Sequence, residues 1–286
     1  MTFYEPGSDT VRATAYNTAI KQIAHYSYKF KQLVSVVKSA SWKNYFFRET
    51  LTVPGDQEGN ATRGLSRGAE FPNAVLSWEQ VNSRIEKYGL AGSIDHEDII
   101  AGNIDTRNRT ILRIAEGVAK AVDTQICAVV AESFTPVNIQ TGALTAGKWN
   151  ESSAAIIKDL ATMQAQVQAY YDNAKDFVCV VNPTNVPHIL HYIYEKGAQA
   201  KEAGQSAFNG EIGNPAGIRI ITSGAVGASY ALFLVPKTCA TYKELMPLQT
   251  DTITDKFKGD TIRACEYGVA ELHEPKQVVL LQIRTA

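Results

Sequence analysis

The chain has 286 residues, 45% of them apolar and 20% charged. This composition excludes disorder and collagen-like structure and leaves room for one large domain or two medium ones. Twenty-eight basic residues against 29 acidic ones exclude a dedicated nucleic-acid binder with a strongly basic face.

The charge is unevenly placed. Residues 1–50 hold seven basic and three acidic side chains, and residues 51–103 hold four basic and eight acidic. The polar start MTFYEPGSDT is broken by Pro6 and Gly7 and is no signal peptide. No run of about 18 apolar residues offers a bilayer span. Cys127, Cys179, Cys239 and Cys265 form no CxxC and sit in apolar surroundings, so they read as buried free thiols of a reducing compartment.

In chain order, residues 1–10 read as an extended arm and residues 11–38 carry a helical pattern with Arg12, Lys21, Lys29 and Lys31 on its polar side. YFFRETLTV predicts a strand stopped by Pro54-Gly55. Residues 56–73 form a glycine-rich, charged tip with Leu65 and Phe71 as its large apolar side chains. VLSWEQVNSRIEKYG alternates as a second strand, which makes a protruding hairpin. A two-stranded ribbon is marginal alone in water, so this one is expected to lie on another subunit. Asp95 is a plausible cap for a short helical turn. Residues 105–133 then hold helical spacing without proline and with Gly117 as the sole glycine. A turn-rich stretch leads to a helix with Ile156, Leu160, Met163, Val167 and Tyr170 on one face. FVCVV predicts a buried strand, Asn182 caps a helix through Pro183, and residues 204–217 form a loop. Strands follow at GIRIITS, YALFLVP, around Leu245 to Thr254, and at TIRACEYGVAELHEP and QVVLLQIRT.

Chemistry is hard to find. His188 and His191 share a helix face with Cys179 just upstream, but four ligands at tight spacing are missing, so packing or surface roles are favoured over metal. His96-Glu97 lacks the second histidine of a zinc-protease helix. GEIGNPAG and GAVGAS lack the lysine of a phosphate loop. Glu266 and Glu271 alternate on a strand and read as a solvated sheet face. Trp42, Trp78 and Trp149 read as packing or interface anchors. No catalytic, cofactor-binding or metal residue is assigned, and the chain is read as no enzyme. The basic residues of 12–48 and 107–120 are either solvated helix faces or a mildly positive surface that neutralises phosphate without reading sequence.

The order of elements resembles the major capsid protein of tailed bacteriophages, the Hong Kong 97-type fold that encapsulins share. FPNAVLSWEQVNSRIEKYGLAGSIDHEDI resembles the strand leading out of the extended loop and the acidic turn before the spine helix. VDTQICAVV resembles the D-x-x-I segment of the spine, and FVCVVNPTNVPHIL the strand–Asn-Pro–helix step. ACEYGVAELHEPKQVVLLQI resembles the closing E-x-G…P strands. The likeness covers residues 10–286.

The resemblance implies an α+β fold with an N-terminal arm and helix (1–42), an extended β-hairpin loop (43–76) and a peripheral domain (77–150) carrying the spine helix (105–133). An axial α/β domain (151–268) follows, with C-terminal strands (269–286) returning to the peripheral domain. It further implies self-assembly as hexamers and pentamers into an icosahedral virion shell around double-stranded DNA bound without sequence specificity. The chain would be made in the host cytoplasm. The implied partners are scaffolding, portal and decoration proteins, with no membrane. Candidate intersubunit contacts are Arg48, Glu49, Arg63, Leu65, Arg67, Glu70 and Phe71. Candidate DNA-facing residues are Arg12, Lys21, Arg107, Arg109 and Arg113. Some members cross-link through a loop lysine. No lysine lies between Lys43 and Lys87, so a non-covalent shell is expected. A fused N-terminal scaffolding segment is either removed or replaced by a separate protein. Two alternatives stand: an encapsulin-type nanocompartment shell, against which the arm-like start speaks, and a small α/β enzyme with an unrecognised site.

Overall fold

The structure is a computed structural model that describes residues 28–49, 67–68, 78–95, 97, 104–171, 174, 176–197, 214–255 and 259–284. Its elements run α1 (Phe30–Leu33), β1 (Ser35–Lys38), β2 (Lys43–Glu49), β3 (Trp78–Arg84), β4 (Glu86–Asp95), α2 (Ile104–Val130), β5 (Gln140–Gly142), α3 (Ile156–Gln168), β6 (Val178–Val181), α4 (Val186–Gly197), β7 (Arg219–Thr222), β8 (Tyr230–Leu234), β9 (Ala240–Asp255), β10 (Gly259–Leu272) and β11 (Val278–Gln282). None of the described helices is long and apolar enough to cross a membrane. The chain divides into two units. The first takes Met1–Asn44, Ser83–Cys127 and Thr241–Ala270, and the second takes Tyr45–Asn82, Ala128–Ala240 and Glu271–Ala286.

The first unit is built on a four-stranded sheet in the order β1-β9-β10-β4. β10 pairs antiparallel with β4 over ten residues, from Gly259 opposite Asp95 to Gly268 opposite Glu86. Asp95 is therefore the last residue of a strand, not a helix cap. β1 pairs parallel with β9. The helical pattern expected to reach residue 38 thus stops at Leu33, because Ser35–Lys38 pairs as a strand with Thr241–Glu244 and its two β-branched valines favour the extended backbone. The long helix α2 spans about 40 Å. Ile111, Ile114, Ala115, Val118, Val122 and Ile126 are buried on it at the expected spacing. Gly117 answers a close approach: a Cβ there would stand 2.7 Å from a methyl of Leu90 on β4.

The second unit contains a five-stranded sheet in the order β5-β11-β8-β6-β7. Ile156, Leu160, Met163 and Val167 of α3, and Ile189 and Ile193 of α4, pack into one cluster with Cys179, Val181, Phe233, Val279 and Leu281 of its strands. The unit also holds most of a separate two-stranded ribbon, β2-β3.

Two further expectations change. The helix predicted to Ser133 ends at Val130, since Glu132, Ser133 and Phe134 all take left-handed φ angles of 46, 54 and 62°. The Glu132 carboxylate holds that turn by accepting from the amides of Val137 at 2.5 Å and Asn138 at 2.8 Å. The C-terminal strands also divide differently from the expected partition. β10 lies in the first sheet, whereas β11 is inserted between β5 and β8 of the second. Their burial explains this. β10 alternates over much of its length, as a strand with one covered face does, while Val278–Leu281 of β11 are all buried, as in a central strand.

Candidate functional site

The first unit concentrates its polar chemistry where the chain emerges from residues 1–27. The segment Tyr28–Leu33 is fastened at two points. On α2, the Asp123 carboxylate accepts from the backbone amides of Lys29 at 2.5 Å and Lys31 at 3.1 Å. It satisfies donors at the start of α1 that have no partner within the helix. Burial raises the Asp123 carboxyl above its ordinary range, against the opposing pull of the amides of Lys29, Lys31 and Phe30.

The second fastening is Lys31. Its ammonium lies 2.7 Å from Glu266 on β10 and 2.8 Å from Glu244 on β9. It also stands 4.8 Å from the ring centroid of Tyr28 and 5.0 Å from that of Tyr242. Glu266 is fully buried and accepts from both phenols, from Tyr242 at 3.0 Å and from Tyr28. Burial, then the charge of Glu266, pushes both phenols far above their ordinary value, so they act as fixed donors. Gly268 makes the arrangement possible: a Cβ there would lie 2.2 Å from the Tyr242 hydroxyl oxygen. Glu266 and Glu271 are thus not a solvated sheet face, because both side chains are fully buried. The segments that carry the capsid resemblance now have physical roles. Asp123 and Ile126 of D-x-x-I hold α1 and fill the core, and Glu266 and Gly268 of E-x-G receive Lys31 and Tyr242.

The ribbon has another character. Phe46 is buried edge-on against His273 at 5.0 Å, while Tyr45 and Phe47 are 63% and 52% exposed, with their rings 6.2 Å apart. Of the candidate intersubunit contacts, Arg48 is half-buried and lies 3.7 Å from Glu79. The Glu49 backbone belongs to β2, and Arg67 is exposed in a turn. Arg63, Leu65, Glu70 and Phe71 lie outside the described residues, as do Arg12 and Lys21. The backbone of Arg107 is in α2, Arg109 is exposed, and Arg113 is exposed and stands 3.8 Å from Glu116.

The weaker motifs resolve into packing. Asn182 and Asn185 donate to the carbonyls of Val226 at 2.7 Å and Ala228 at 2.9 Å, so GAVGAS is a loop tied to the start of α4. His191 is exposed 3.4 Å from Glu195, while Cys179 lies in the core. Trp149 is buried and donates to the buried Asp159 at 2.9 Å, whereas Trp42 is exposed and meets Tyr267 edge-on. Burial pushes the thiols of Cys127, Cys179 and Cys239 up to about 12. Cys265 departs from the expected burial and is partly exposed.

Sequence reasoning missed the cluster of Tyr28, Lys31, Glu244 and Glu266, because its members come from chain segments more than 200 residues apart. The one local signal was the pairing of a glutamate with a glycine two residues on in a strand.

The sequence matches the family model described as phage capsid protein over residues 78–281. No curated protein sequence matches it. Among solved structures, the virus-like particle from Pyrococcus furiosus is similar with a TM-score of 0.65 at 11% identity, covering 95% of this chain and 99% of that one. The capsid of the cyanophage P-SCSP1u gives 0.65 at 17% identity, with 91% and 89% covered. Mycobacterium phage Che8 gives 0.63 at 16% identity, with 89% and 90% covered.

Proposed function

The chain belongs to the phage capsid protein family and has the Hong Kong 97-type fold, and from that premise we propose that its copies assemble as hexamers and pentamers into an icosahedral shell around double-stranded DNA. The observation that carries this reading is the β2-β3 ribbon. It pairs as a separate two-stranded sheet and leaves Tyr45 and Phe47 uncovered, a costly feature in a monomer and a useful one between subunits.

In this reading the ribbon and its loop, with Arg48, Glu49, Arg63, Leu65, Arg67, Glu70 and Phe71, reach a neighbouring subunit. The buried fastening at Tyr28–Leu33 fixes the point at which residues 1–27 join the first unit. Individually modest contacts sum over a closed shell. Arg109 and Arg113, with Arg12, Lys21 and Arg107, face the packaged DNA and neutralise phosphate without reading sequence. Scaffolding and portal proteins are further partners. The shell is held without covalent cross-links, since residues 44–86 contain no lysine.

The test is to express the full chain, alone and with a candidate scaffolding protein from the same genome, and to examine it by size-exclusion chromatography and negative-stain microscopy. Rings or closed shells are expected, and a chain that stays monomeric throughout overturns the reading. Boiled in detergent, mature particles should give one band near 31.2 kDa, and a ladder would refute the non-covalent shell. The likeness to the Pyrococcus virus-like particle favours a second reading, a nanocompartment shell. Particles that contain protein cargo and no nuclease-protected DNA would select it.

A further inference from the structure

The end of α2 carries a conflict between local code and backbone. Residues 131–134 hold neither proline nor glycine, and their sequence continues the helix. Phe134 follows the buried Val130 by four residues, so a continued helix carries its ring along the buried face of α2. The chain turns the other way. Glu132, Ser133 and Phe134 take φ angles of 46, 54 and 62°, three successive left-handed residues that are neither glycine nor asparagine. That conformation is unfavourable at each of them.

One carboxylate and one ring hold the turn, all within the second unit. Glu132 accepts from the amides of Val137 at 2.5 Å, Asn138 at 2.8 Å and Ile139 at 3.4 Å, and from the Asn138 side chain at 2.7 Å. Bonds to an ionised acceptor are the strong ones. The Phe134 ring stacks on that of Tyr230 at 5.1 Å. Backbone strain of this kind persists only while its surroundings enforce it.

We infer that Ala131–Thr135 is a two-state end of α2, latched in a left-handed turn by the Glu132 carboxylate and converting to a further right-handed helical turn when that latch opens. In the conversion Phe134 leaves Tyr230 and joins the stripe of Val130. The latched turn presents Val137, whose side chain is 84% exposed, and the helical state withdraws it. Such a latch works within one subunit, whatever the copies assemble into.

Ser133 is exposed, so substitutions there read the backbone, with glycine suited to a left-handed position and alanine to a helix. In the parent at neutral pH, Ser133→Gly should raise the urea midpoint by about 0.2–0.4 M, and Ser133→Ala should fall below it. Glu132→Ala should speed amide exchange at Val137 and Asn138 roughly tenfold. In the Glu132→Ala background the order at residue 133 should invert, with Ser133→Ala unfolding at higher urea than Ser133→Gly. Equal midpoints there, or glycine still ahead, overturn the helical second state. Unchanged exchange in Glu132→Ala overturns the latch. Alanine ahead of glycine in the parent overturns both, without recourse to the Glu132 variant.

Discussion

Two segments near the start of the chain are built on opposite principles. Residues 28–33 are held by their own chain. Lys31 is shared between Glu244 and Glu266, two phenols complete the fully buried Glu266, and Asp123 holds the amides. The β2-β3 ribbon is finished on one face only, with Phe46 against His273 and Tyr45 and Phe47 facing outward. A capsid subunit needs both kinds of element. Buried polar contacts that cannot be exchanged for water fix where a segment starts, and exposed aromatic surface leaves the destination to a neighbour.

The comparison breaks most sharply at Lys31. Lys31→Met leaves two carboxylates without their cation, and stranding a buried charge costs about 3–5 kcal/mol. Urea unfolding should show this loss, and amide exchange should rise at Lys29–Leu33. A smaller loss, about 1–3 kcal/mol, is expected for Gly268→Ala, since the new methyl must displace the Tyr242 phenol. A urea midpoint equal to that of the parent would remove Gly268 from the fastening. The ribbon should behave in the opposite way. Tyr45→Ser with Phe47→Ser should change subunit stability by no more than about 0.5 kcal/mol per site, as surface substitutions do, yet abolish particles in electron micrographs. If the double variant melts far below the parent, the ribbon is structural rather than adhesive.

The smallest effect is a pH dependence at the end of α2. Burial pushes the Glu132 carboxyl up, but the amides of Asn138 and Val137 and the Asn138 side chain outweigh it and hold the group below its ordinary range. A carboxyl lowered in the folded state contributes stability that is complete above its unfolded value, about 4.3, and is lost as pH falls through the folded value. The urea midpoints of the parent and Glu132→Gln should therefore differ at pH 6 and converge towards pH 3. A gap that widens on acidification would contradict the assigned direction.

Much of the fold was legible because it is locally coded. The spacing from Ile111 to Ile126 announced α2, and FVCVV announced a buried strand. The strand composition of YFFRETLTV and the alternation of residues 75–89 announced the ribbon. The fastening was not legible. Lys31 looked like any cation on a helix face, and Glu266 like any polar residue on an alternating strand, because a strand position does not say which face is covered. The placement of β11 was legible in principle, since four consecutive buried apolar residues suit a central strand. The resemblance instead joins residues 269–286 to the peripheral domain of 77–150.

The position of β11 also bears on how the subunit is made. Its partners are β5, about 140 residues earlier, and β8. The first unit likewise waits for residues 241–270 to complete its sheet. During synthesis, neither unit can close until residues 241–282 have left the ribosome, so both sheets are completed late. A chain without β11 lacks an interior strand of one sheet and exposes the edges of β5 and β8. Unpaired strand edges of this kind offer a template for pairing with another chain.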